Sequence, residues 1–311
     1  MTAIQSLRSL AGDLSGALGL HRRISEERRE ALGVLANTWL GQRELEAFGR
    51  LPLYRPGDPF ILFWSQKAGS TGAATWYFHR AGLLEEARRF SPWIHDYETQ
   101  VFKRRPTYAA DVRRALDNGV PALKIVRDPA ARAFSGFLEL NRMGVIRQRR
   151  DHWSVYWRKR LVRAVHGASA PFETPVAFNA YLDWLAGLPV RALNGHMAPQ
   201  SGPVEARLGE RIVSYKADDG PEVFGRIEQA FDLTPTEPHR LRAFAGSGHH
   251  HRKEALAPET LARFVAEGLP IDRTPETVFP RIDAKAAVAL PDLDRRLRRV
   301  YGGDYARYGY G

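Results

Sequence analysis

At 311 residues the chain is long enough for one large α/β domain or two average ones, and for a core that needs no covalent or metal staple. It holds no cysteine, which excludes disulfides, thiolate zinc sites and cysteine nucleophiles. Lys and Arg number 46 against 35 Asp and Glu, a formal +11, which calls for an anionic partner: nucleic acid, a membrane surface, an acidic glycan or a phosphorylated small molecule.

Near the N-terminus, Arg8, Asp13 and Ser15 interrupt what would otherwise resemble the apolar core of a signal peptide. No apolar run approaches the length of about 20 residues that a bilayer span requires, so the expectation is a soluble protein, cytoplasmic if the source is bacterial. Residues 1–50 place apolar and charged residues at helical spacing, as in "ISEERREALGVLANTWL" with a helix start at Ser25, Glu26 and Glu27, and read as a helical N-terminal extension. The prolines of "RLPLYRPGDP" end that pattern and open an α/β domain over residues 51–311.

Three short apolar runs, residues 60–64 ("FILFW"), 121–126 ("PALKIV") and 211–216 ("RIVSYK"), suit buried strands, and helical patterns follow each. Strand, loop and helix in repetition predict a P-loop-like parallel sheet with helices on both faces. Residues 142–163 are basic and aromatic, residues 167–175 and 246–251 read as loops, and the chain closes in "YGGDYARYGYG".

The first strand runs into "QKAGSTG". A loop at the carboxyl end of a parallel strand that opens a helix offers main-chain N–H groups at the positive end of the helix dipole, an anion site by construction. Ala68, Gly69 and Gly72 let the main chain approach an anion, Lys67 adds charge, and Ser70 and Thr71 add hydroxyl donors. The other reading is a plain turn with its lysine in solvent. A Walker A loop sets its lysine after both glycines, whereas Lys67 precedes them. The second strand repeats the plan in "KIVRDPAARAFSGFLE", with Arg127 at its end and Asp128-Pro129 as helix cap and first position. Arg127 and Ser135, about two helical turns apart, suit one shared phosphate. Alternatively, Arg127 pairs with Asp128 or with a buried carboxylate.

Together "QKAGST" and "RDPAARAFS" resemble the sulfotransferases that use 3′-phosphoadenosine 5′-phosphosulfate, in particular their carbohydrate branch, with Gln66 in place of the usual proline. "GHMAPQ" (residues 195–200) resembles the H-x-x-P-Q segment of glycan O-sulfotransferases, and "VYGGDYARYGY" resembles their closing pattern. The resemblance implies that Lys67, Ala68, Gly69, Ser70, Thr71 and Gly72 bind the 5′ end of the donor and that Arg127 and Ser135 bind its 3′-phosphate. Arg132 matches the family's second arginine, as a donor ligand or as a brace for the loop, and Arg252 with Lys253 is similar to an Arg-Lys pair that touches phosphate in some cytosolic members. The implied partner is a hydroxyl-bearing acceptor, a glycan or glycoside, with no metal required.

Sulfuryl transfer needs a base, and histidine titrates near neutrality. His95 falls in the interval where some members of this branch carry theirs; Glu98 and His196 are further candidates. His249, His250 and His251, adjacent in sequence, lack rigid zinc-site spacing. Trp153, Tyr156 and Trp157 suit an acceptor cleft, stacking on nucleic acid, or an amphipathic helix that buries its rings. The rival functions are a nucleotide kinase or other phosphate-transferring P-loop enzyme, and a basic nucleic-acid-binding protein.

Overall fold

The computed structural model describes residues 51–141, 152–245, 251–268 and 279–310, with residues 203, 245, 251–255 and 279–281 described by their backbone alone. The helical extension expected over residues 1–50 lies outside the described residues, as do residues 142–151 of the basic aromatic stretch. No described helix is long and apolar enough to cross a membrane.

Three parallel strands, β1 (Ile61–Trp64), β2 (Ala122–Val126) and β3 (Ile212–Lys216), form one sheet in chain order. Ile61 registers with Ala122, and Ala122 with Ile212. Every residue of β1 and β2 is buried, and since successive side chains point to opposite faces, both faces of these strands are covered. The outer strand β3 is different: Val213 is exposed. A single antiparallel bridge from Leu53 to Leu62 borders β1, so the proline-rich entry segment also joins the sheet.

Helices α1 (Ser70–Arg80), α2 (Leu84–Phe90), α3 (Ile94–Gln100) and α4 (Tyr108–Asp117) lead from β1 to β2. Their apolar faces share one core with the strands, organised around Trp76, whose ring stacks on Phe60 at 5.8 Å and on Phe224 at 5.2 Å. Its indole N–H donates to Glu228 at 2.9 Å, so the buried ring leaves no polar atom unsatisfied.

Between β2 and β3 run α5 (Pro129–Leu140), α6 (Trp153–His166), α7 (Phe178–Ala186) and the short α8 (Pro203–Leu208). After β3 come α9 (Glu222–Ala230) and α10 (Pro238–Ala245), which return to the first core. A second core, made mainly by helices, gathers α5, α6 and α7 with α11 (Pro258–Ala266), α12 (Ala284–Val288) and α13 (Leu293–Tyr308). Phe134 stacks on Phe178 at 4.0 Å at its centre. A separate parallel pair, β4 (His251–Ala255) with β5 (Phe279–Arg281), makes a two-stranded sheet. The sequence reading has no counterpart for these strands, and His251 begins β4 instead of ending a loop; "HRKEA" carries no apolar run to mark it.

The buried Lys124, in the middle of β2, interrupts an otherwise apolar strand. Its ammonium donates to Glu205 of α8 and to the Gln200 carbonyl. Burial pulls Lys124 down to about 8, opposed by Glu205. An unfolded chain keeps this proton to about 10.4. Between these values the native state holds fewer protons than the unfolded one, so stability rises with pH across that window on account of Lys124, and below the window Lys124 adds no pH dependence. Urea titrations from pH 7 to 10 should show this upward slope in the native chain and lose it in Lys124→Met. At pH 7, Lys124→Met should cost about 3–5 kcal/mol, because it leaves Glu205 buried without its cation.

Candidate functional site

The loops that leave the three strands meet at the carboxyl edge of the sheet. After β1 the chain turns tightly, Ala68 N–H donating to Ser65 O at 3.1 Å, and Gly69 caps α1 in a left-handed conformation, φ 76°. Glycine has no side chain to cap the first turn, and no side chain hydrogen-bonds there in its place. Lys67 is also left-handed, φ 65°, which strains a residue with a Cβ. Its ammonium reaches Glu139 of α5 at 2.9 Å. Ser70, Thr71 and Gly72 form the first turn of α1, and Ala68 is buried beneath the loop.

After β2, Asp128 caps α5 by accepting from Ala131 N–H at 2.7 Å, with Pro129 at the first helical position, as the sequence predicts. Burial raises the Asp128 carboxyl above its ordinary range, against the lowering pull of that N–H. The Arg127 guanidinium donates to the Lys67 carbonyl at 3.2 Å and stands 3.8 Å from Asp218. Its carboxylate is therefore on the turn after β3, and Ser135 is buried along α5. Asp218 also accepts from Asp128 N–H at 2.7 Å and from the Tyr310 hydroxyl at 2.9 Å. Ala217, beside it, lies 3.5 Å from where a Cβ on Gly69 would sit, so all three strand ends touch.

Arg132 is almost wholly buried and joins two loops. Its guanidinium donates to Gln66 O at 2.9 Å, Ala198 O at 2.6 Å and Gly195 O at 2.6 Å. It braces the Lys67 loop against the "GHMAPQ" segment, with each of its three nitrogens donating to a main-chain carbonyl. That segment presses close on its other side too: a Cβ on Gly136 would meet the His196 carbonyl at 2.6 Å.

His95 and Glu98 lie one turn apart on α3 and act as one unit. Glu98 Oε2 stands 2.6 Å from His95 Nδ1, and Glu98 Oε1 accepts from the Lys103 ammonium at 2.6 Å. With Nδ1–H donated to Glu98, Nε2 faces the loop, 3.5 Å from Ser70 Oγ and 3.4 Å from Thr71 Oγ1. A carboxylate that fixes one imidazole nitrogen while the other faces an anion loop is an arrangement for proton transfer. His196 is placed differently, its ring stacked on Trp153 at 4.1 Å and its Nδ1 at 2.7 Å from Asn194 Oδ1.

Arg252 and Lys253 belong to β4, in the separate two-stranded sheet. Trp153 and Trp157 pack into the helical core, which favours the amphipathic-helix reading, and Arg158 of the same helix is buried, donating to Thr174 O at 2.6 Å and Phe172 O at 3.2 Å. Sequence reasoning missed Glu139, Lys103 and Asp218. Asp218 was within reach, because it follows the third strand as Lys67 and Arg127 follow the first two. No family model, curated protein or solved structure matches this chain.

The strained Lys67 separates stability from site chemistry. Lys67→Gly should be about 1 kcal/mol more stable than Lys67→Ala, since only glycine adopts that φ without a Cβ penalty. Gly136→Ala should destabilise by about 1–3 kcal/mol through overpacking against main chain. Thermal and chemical denaturation of the three variants checks both outcomes.

Proposed function

We propose that this protein is a sulfotransferase that moves a sulfuryl group from 3′-phosphoadenosine 5′-phosphosulfate to an acceptor hydroxyl on a carbohydrate. The observation that carries the reading is the His95–Glu98 pair, whose Nε2 stands within 3.5 Å of the hydroxyls of the very loop that resembles a 5′-phosphosulfate site. A kinase-like loop needs a magnesium-bound triphosphate. Such a loop sets its lysine after both glycines, whereas Lys67 precedes them, and its ammonium, two hydroxyls and the N–H groups of a helix start suit a phosphosulfate.

In the proposed reaction the acceptor oxygen bonds to sulfur as the bond from sulfur to the bridging phosphate oxygen breaks. The acceptor proton passes to His95 Nε2, and the electron pair of the broken bond leaves on adenosine 3′,5′-bisphosphate. Glu98, with Lys103 behind it, steadies the imidazolium that results. Lys67 and the first-turn N–H groups of α1 stabilise the charge that grows on the leaving phosphate. Arg127 receives the 3′-phosphate, and Arg132 keeps the main chain of the loop in place without touching the donor.

Calorimetric titration with adenosine 3′,5′-bisphosphate, beside adenosine 5′-phosphate and ATP with magnesium, tests the reading. The bisphosphate should bind tightest, and Arg127→Ala should weaken it at least about tenfold while changing adenosine 5′-phosphate little. His95→Asn should keep bisphosphate affinity and lose roughly 10²–10⁴-fold in transfer rate. Preference for ATP with magnesium would overturn the reading in favour of phosphoryl transfer.

A further inference from the structure

Large apolar side chains are almost all buried among the described residues; the exposed exceptions are Phe90, Trp93, Val190 and Val213. Two of these four, Phe90 at the end of α2 and Trp93 just before α3, stand three positions apart, and Trp93 is two residues before His95. A half-exposed indole forgoes much of the burial that makes tryptophan useful to a core, so a pair of exposed rings at one place calls for a partner.

Trp93 is 52% exposed, yet it is not loosely held. Its main-chain N–H donates to Ser91 Oγ at 3.0 Å, and that hydroxyl donates in turn to Asp96 at 2.7 Å, which fixes the backbone of the turn on the start of α3. The indole meets the His95 imidazole nearly edge to face, with centroids 5.1 Å apart and planes at 71°. Phe90, 49% exposed, is anchored on Tyr97 at 6.0 Å, one turn of α3 beyond Trp93. The turn from α2 into α3 thus carries two exposed rings, one of them against the imidazole whose Nε2 faces Ser70 and Thr71.

We infer that Trp93, aided by Phe90, is the acceptor platform: a sugar ring lays its apolar C–H face on the indole, which brings a ring hydroxyl to His95 Nε2. The inference rests on the proposed sulfuryl transfer for the role of His95, and it adds the acceptor-determining residue and the chemistry of the acceptor, a ring with one apolar face. A flat aromatic surface favours pyranose rings over acyclic polyols of equal hydroxyl content, because only the ring presents a continuous C–H face.

The test follows the indole N–H resonance of Trp93, assigned by its loss in Trp93→Phe, during titration with cellotetraose and, separately, sorbitol. Cellotetraose should shift that resonance and sorbitol at matched hydroxyl concentration should not. By calorimetric titration, Trp93→Ala should bind cellotetraose at least about tenfold more weakly, with Trp93→Phe retaining most of the affinity and Phe90→Ala intermediate. Bisphosphate affinity should be the same in all of them, which also reports that each variant is folded. An unmoved Trp93 resonance, or equal cellotetraose affinity in Trp93→Ala, would overturn the platform while leaving the donor reading intact. Failure of the bisphosphate to bind the native chain, with the cellotetraose response preserved, would overturn the donor reading and leave Trp93 as a sugar-binding surface.

Discussion

The site depends on a buried polar network under the end of β2. Asp304, on the last helix, accepts from Gln200 N–H at 2.7 Å and from Ser201 N–H at 2.6 Å. The Gln200 amide then pairs with Arg127 in both directions, accepting from its N–H at 2.9 Å and donating to its carbonyl at 2.7 Å. Glu205 closes the set, meeting Lys124 on one oxygen, which also takes the Tyr308 hydroxyl at 2.8 Å, and Gly202 N–H on the other at 2.9 Å. Asp304, Glu205 and Lys124 are fully buried, where an ungratified charge is expensive, so these partners are obligatory together. Arg127 takes its place at the strand end because its main chain is one edge of this network.

Two cores meet at the site and contribute different parts of it. The sheet core carries the Lys67 loop, α1 and the His95 helix; the helical core carries α5 with Arg132 and Glu139. Arg132 reaches from one to the other, and so does the Lys67–Glu139 pair. The Lys67 loop is thus held from both sides, and it retains a lysine in the left-handed region. Such prepayment of order suits a site that stabilises developing charge, since dipoles already aligned need no reorganisation during reaction.

The three sheet strands and the Asp128-Pro129 helix start were legible because each rests on local chemistry: short, largely apolar or β-branched runs between turn residues, and a carboxylate cap before a proline. The buried lysine in "PALKIV" was read within its strand, but its partner Glu205 lies 81 residues away and nothing local announces it. His95 and Glu98 were readable as separate candidates. Their union required knowing that they share a helix face that turns toward Ser70 and Thr71.

By itself the sequence determined the strand-loop-helix units, the small-residue loop around Lys67, the placement of Arg127 after a strand and the absence of any thiol chemistry. These follow from residue type and short spacing, which act within a few positions of the chain. Only the tertiary structure decided that Arg132 braces two loops, that Asp218 and not Asp128 faces Arg127, that Glu139 holds Lys67, and that Trp93 stands exposed beside His95. Each of these is a contact between segments distant in the chain or a question of what is covered, and desolvation and packing settle such matters only once the whole fold is assembled.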